Sequence, residues 1–177
     1  MNSMKILIVG MLALGLFMFS GCSSKHSLVL NENYTPKQDV KIEVESVANK
    51  TSQTFEIDIQ KMLKESLNKK LKADGILWAN NENSKLQLKI DIIEYSEGNA
   101  FKRWIMPGWG ATILTIEATL KDSSLVVGKA NATRNIAAGG GFTIGAWKTV
   151  FDDIAADVIA DLKEAYKKKN IALAKAR

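Results

Sequence analysis

Cysteine, histidine and proline are nearly missing from this chain: one, one and two among 177 residues. Each scarcity removes a class of chemistry. With Cys22 alone there is no disulfide within the chain, so packing and hydrogen bonds must hold the fold. His26 alone leaves no partner imidazole for a zinc site and no histidine–carboxylate–nucleophile set inside a domain. It stands among serines near the start, where a solvated side chain is expected. Charge of one sign is also scarce, at a formal +5. Part of that excess, Lys167, Lys168, Lys169, Lys175 and Arg177, sits at the C-terminus, where it complements a helix dipole or touches anionic polymers and headgroups. No nucleic-acid partner is expected.

Ligand-binding patterns are absent as well. Gly140 and Gly145 have the spacing of a phosphate loop, but Ala146-Trp147 stands where lysine and serine or threonine are needed. Asp152, Asp153, Asp157 and Asp161 lie on the wet face of a helical pattern and lack calcium-loop spacing. Glu94 and Glu97 form a carboxylate pair that nothing ties to a cleft. The expectation is no metal, no cofactor and no catalytic residue.

What the chain does have begins at its start. Lys5 precedes an apolar run from Ile6 to Phe19, which exits through Ser20-Gly21-Cys22. Basic start, apolar centre and small-residue exit describe a secretory signal. The run is shorter than the roughly 20 apolar residues a helical span needs. Phe19-Ser20-Gly21-Cys22 resembles the lipobox of bacterial lipoproteins, with Phe19 where that family more often has leucine. The resemblance implies a diacylglyceryl group on the Cys22 thiol, cleavage just before it, and fatty acylation, such as by palmitate, of the new amino terminus. Ser23 in place of aspartate implies delivery to the outer membrane of a Gram-negative cell, facing the periplasm. One acyl chain holds only marginally; two or three anchor firmly. The organisation expected is a signal peptide over 1–21, an acylated cysteine and flexible tether over 22–38, a single α/β domain over 39–168 and a basic tail over 169–177.

Within the domain, Val40, Ile42 and Val44 alternate with Lys41, Glu43 and Glu45, the pattern of a half-buried strand. Thr51-Ser52-Gln53-Thr54 offers N-cap candidates for a helix in which Phe55, Ile59, Met62, Leu63, Leu67 and Leu71 recur at helical spacing before Asp74-Gly75. Ile76-Leu77-Trp78 reads as a short strand. Leu86, Leu88, Ile90 and Ile92 alternate in a long strand toward Tyr95. Leu114, Ile116, Ala118 and Leu120 alternate in the next, and Asp122-Ser123-Ser124 turns the chain into a strand from Leu125 to Arg134. Val150, Ile154, Val158 and Leu162 mark a final helix to about Lys168. This order, β-α-β-β-β-β-α, predicts an α+β protein. It is a two-layer α/β sandwich with a mixed sheet of about four to five strands and both helices on one face. The first strand–helix–strand unit should be parallel.

Two connections do not fit a plain sandwich. Residues 99–111 hold Phe101, Arg103, Trp104 and Trp109; residues 139–147 hold three glycines, Phe142 and Trp147. Aromatics in loops either seal the end of the core or form a surface for a partner, a second copy or a membrane interface. Phe101, Arg103, Trp104, Trp109, Phe142 and Trp147 are the candidate contact residues.

From Arg103 to Ala111, through a long strand, Asp122 and a hairpin return to a C-terminal helix, the chain is similar to bacterial lipoproteins of the domain-of-unknown-function 4410 type. The element order also resembles periplasmic α/β domains of secretion and envelope-assembly lipoproteins such as the curli secretion pore, without the long membrane-inserting hairpins of that pore. These readings together imply a lipid-anchored envelope lipoprotein that acts as a non-catalytic binding or assembly module. Its partner would be an envelope protein or a second copy. A periplasmic carrier of lipid or cell-wall fragments is the alternative.

Overall fold

The computed structural model describes residues 22–37, 39–79, 85–138 and 143–175; the signal segment, Phe142 and the three glycines lie outside them. The elements in chain order are β1 (Cys22–Leu30), β2 (Lys41–Asn49), α1 (Ile59–Ala73), β3 (Lys85–Ser96), α2 (Ala100–Ile105), β4 (Thr112–Asp122), β5 (Leu125–Ile136) and α3 (Ala146–Lys175). The strands form one open sheet in the order β1-β5-β4-β3-β2. β2 and β3 run parallel, and every other pair is antiparallel. This is the α+β architecture expected, with a mixed five-stranded sheet.

The alternating patterns place the core. Ile42, Val44, Leu86, Leu88, Ile90, Ile92, Leu114, Ile116, Ala118 and Leu120 are buried. The intervening Lys89, Asp91, Thr115 and Thr119 are partly exposed and Glu117 is exposed, on a face that carries no helix. Onto the apolar face α1 packs Leu63, Leu67 and Leu71, and α3 packs Val150, Phe151, Ile154, Val158 and Leu162. Period two in the strands and period 3.6 in the helices therefore bury against each other. Besides a register shift between Val44 and Ser46 on β2, two others adjust the match. One after Ile92 turns Ile93 outward and returns Tyr95 to the core. There burial pushes the Tyr95 phenol up to about 12, with Glu97 adding to it. The other, near Lys121, puts Val127 inside.

Several boundaries differ from the sequence reading. Helix α1 starts at Ile59, where the Asp58 side chain accepts from the Lys61 N–H at 2.9 Å. Phe55 precedes it and sets its ring edge-on to Tyr95 at 5.0 Å. Ile76–Trp78 forms a single parallel bridge, Ile42 to Leu77, rather than a strand. Helix α3 runs on to Lys175, so residues 169–175 are helical rather than a free tail. The largest difference is β1. Residues 22–30 were expected to be a tether and instead form an edge strand on β5. His26, Leu28 and Leu30 share the face of Ala132, Ala130 and Gly128, turned toward α3. His26 Nδ1 lies 2.7 Å from Asp161 Oδ1, and its Nε2 lies 3.9 Å from Asp157 Oδ1. Asp157 in turn takes a two-pronged bond from Arg134 at 2.5 and 2.6 Å. Further along, the Tyr34 hydroxyl meets the Tyr166 hydroxyl at 2.9 Å, and Lys169 donates to the Glu32 carbonyl. A polar segment is thus tied down by its inward side.

Leu67 is fully buried between helix and sheet. Replacing it by alanine should cost about 2–5 kcal/mol in urea unfolding, because the sheet cannot collapse into the cavity. Lys64→Ala on the exposed face of the same helix should stay within about 0.5 kcal/mol.

Candidate functional site

The sheet ends on one side at the connection between β3 and β4, which folds as the single-turn helix α2. Asn99 caps it, accepting from the Lys102 N–H at 3.0 Å. The Asn99 N–H donates to the Gly110 carbonyl at 2.8 Å, closing the loop on itself. Gly98 and Gly110 sit at φ of 72 and 73°. A β-carbon at Gly98 would fall 2.6 Å from Ala111, and one at Gly110 would fall 2.7 Å from the Lys102 side chain. Glycine is required at both for conformation and for space. The Gly108 N–H reaches across to the Ala137 carbonyl at 2.7 Å, pinning the loop to the end of β5.

Arg103 stands at the centre and is 3% exposed. Its Nε donates to Thr143 Oγ1 at 3.1 Å. One terminal nitrogen donates to the Gly110 carbonyl at 2.7 Å and to Thr112 Oγ1 at 2.9 Å. The other donates to the Thr143 carbonyl at 3.0 Å. Thr112 passes its own proton to the Glu97 carbonyl at 2.7 Å. Burial pushes the Arg103 pKa down from the ordinary guanidinium value, yet a guanidinium of this basicity stays charged. The fork therefore ties the α2 loop, the start of β4 and the segment before α3 into one unit.

The expected contact role of Arg103 is thus corrected: a buried guanidinium fully engaged with loop acceptors has no surface to offer a partner. Phe101, Trp104 and Trp109 behave otherwise, at 65, 70 and 49% exposure. Phe101 and Trp104 lie 6.0 Å apart, and with Ala100 and Ile144 they line a shallow hollow. Trp147, at the start of α3, is half-buried with Lys148 4.8 Å from its ring centroid. Phe142 falls outside the described residues. Three contributors escaped the aromatic criterion: Ile105, Met106 and Ile144 are 52, 60 and 79% exposed on the same end. Their signal was an aliphatic side chain beside Trp104 or after the triple glycine.

Glu94, Arg103 and Arg134 do not converge. Glu94 accepts from Thr115 at 3.2 Å on the open face of the sheet. Arg134 pairs with Asp157 on the helix-covered face, and Arg103 lies inside the loop unit. Among the described residues no group of three or more histidine, cysteine, aspartate or glutamate side chains is placed to hold a metal. Among them, too, no helix is long and apolar enough to cross a membrane.

A five-stranded mixed sheet with helices on one face and an end unit organised by Arg103 defines a small α+β domain. The chain belongs to the family described as a domain of unknown function (DUF4410), whose model matches residues 29–140, from the end of β1 through β5. No curated protein matches it. Among solved structures it is similar to the PelC dodecamer from Paraburkholderia phytofirmans, at 20% identity and TM-score 0.54, covering 79% of this chain and 97% of that one. A single-substitution variant of the same dodecamer aligns at 19% identity and TM-score 0.54 with the same coverage. At these identities the likeness shows the fold.

Arg103→Ala should strand the carbonyls of Gly110 and Thr143 and cost about 1–3 kcal/mol. Arg103→Lys should recover little of it, since an ammonium cannot reach both segments as a fork does. Hydrogen exchange over residues 99–110 should quicken in both variants. Trp104→Ala, at an exposed position, should leave exchange there and global stability nearly unchanged.

Proposed function

We propose that this protein is a lipid-anchored, non-catalytic binding or assembly module of the bacterial envelope, held by Cys22 on the periplasmic side of the outer membrane. The observation that carries the reading is the aromatic end. Six large apolar side chains stand exposed on one unit whose backbone is fixed by a buried guanidinium. Isolated exposed apolar residues need no explanation, but a contiguous rigid cluster marks a contact surface. A catalytic site needs convergent titratable groups in a cleft, whereas Glu94, Arg103 and Arg134 lie apart and His26, Asp157, Asp161 and Arg134 serve to tie β1 and β5 to α3. The lipobox-like Phe19-Ser20-Gly21-Cys22 supplies the address. Self-association is compatible with the reading, since the PelC structures of similar fold are dodecamers.

One further observation favours a carrier of small apolar ligands as the second reading. At the sheet end opposite the aromatic unit, Val40, Ile42, Ile76, Leu86 and Leu162 floor a cleft of about 410 Å³, with Lys37, Lys163 and Tyr166 at its mouth. Burial, with the Tyr34 hydroxyl bond second, raises the Tyr166 phenol, which stays protonated there.

Mass spectrometry of the protein purified from cell membranes should find an amino terminus at Cys22 carrying acyl mass, with the protein in the outer-membrane fraction. A chain retaining residues 1–21 with an unmodified thiol would overturn the anchored reading.

A further inference from the structure

The exposed cluster shares its end of the sheet with the anchor. Cys22 pairs with Ile136, and Ile136 pairs on its other side with Thr112, the first residue after the α2 loop. The next residue, Ala137, holds Gly108 of that loop. The chain therefore enters the fold one strand away from Trp109, at the end where Phe101, Trp104, Ile105, Met106 and Ile144 stand out. β1 and β4 start at this end, and β5, β3 and β2 finish toward it.

Cations stand beside the exposed rings. Residues 98–113 and 143–148 carry Lys102, Arg103 and Lys148 and no aspartate or glutamate, while Glu97 stands just before the loop and Glu56 and Asp58 follow β2. Lys102 Nζ lies 5.4 Å from the Trp109 ring centroid, and Lys148 Nζ lies 4.8 Å from that of Trp147. Tryptophan rings with lysines alongside, and aliphatic tips between them, suit the headgroup level of a bilayer. There the rings and aliphatic tips leave water while the ammonium groups meet phosphate.

The geometry points to the lipid bilayer interface as the occupant of this surface. The aromatic end lies in the headgroup layer of an anionic membrane, and the sheet stands with its strands directed away from it. This rests on the anchored reading for which membrane is met, but the contact itself uses side chains rather than the thiol.

The test uses the chain from residue 22 onward with Cys22→Ser, which contains every element of the fold and no acyl chain. It is mixed with vesicles of phosphatidylethanolamine and phosphatidylglycerol. Co-sedimentation and tryptophan quenching by brominated acyl chains are expected. Trp104→Ser and Ile105→Ser should each weaken partitioning by about tenfold. Added salt should weaken it further, because the lysines act through exposed charge. Absence of vesicle binding overturns the proposal, as does binding that these substitutions leave unchanged. Oligomers that dissociate with the same substitutions, without vesicle binding, overturn it too and assign the surface to a second copy. An unacylated native chain would remove the anchor while leaving the vesicle result standing.

Discussion

A charged guanidinium taken out of water sets the terms for everything at the aromatic end of this protein. Arg103 reaches the carbonyls of Gly110 and Thr143 and the hydroxyls of Thr112 and Thr143. Leaving any of them unmet would cost more than making the bond gains. The loop must therefore keep the conformation that satisfies the fork, including positive φ at Gly98 and Gly110. Rigidity matters because a six-residue helix is too short to hold itself. With the backbone fixed from inside, the outer side of α2 can afford to show Phe101 and Trp104 without the loop collapsing to hide them.

Most of the fold was legible because strands and helices each bury one face. Leu86, Leu88, Ile90 and Ile92 could only be a strand with one wet side, and Leu63, Leu67 and Leu71 only a helix stripe. The parallel pairing of β2 with β3 followed from the helix between them. What was not legible is equally specific. β1 hides in a serine-rich stretch because an edge strand needs only a few inward side chains, here His26, Leu28 and Leu30. Two of its holds, the His26–Asp161 contact and the Tyr34–Tyr166 hydroxyl pair, join residues more than a hundred positions apart. Local periodicity carries no trace of such pairs.

Exposure in the loops was half legible for a related reason. Aromatic residues flagged a stretch that stands out from the core, but residue type cannot tell a side chain that points out from one that points in. Arg103 sits between Lys102 and Trp104, both exposed; the rotation of about 100° per helical residue turns it inward. Its destination depends on Thr143, forty positions away. The same blindness hid Ile105, Met106 and Ile144, whose apolar side chains read as core until the fold left them outside.

The docked β1 changes what an anchor at Cys22 can do. A free tether from 22 to 38 would reach roughly 50 Å when extended and let the domain turn any face to its surroundings. A strand hydrogen-bonded along β5 from Cys22 to Leu30 leaves almost no slack between Cys22 and the sheet end. β4 runs with β1 away from that end, while β5, β3 and β2 run back toward it. An acyl group on Cys22 would therefore hold this one end of the sheet, the end that carries Trp104 and Trp109, where a free tether would favour none.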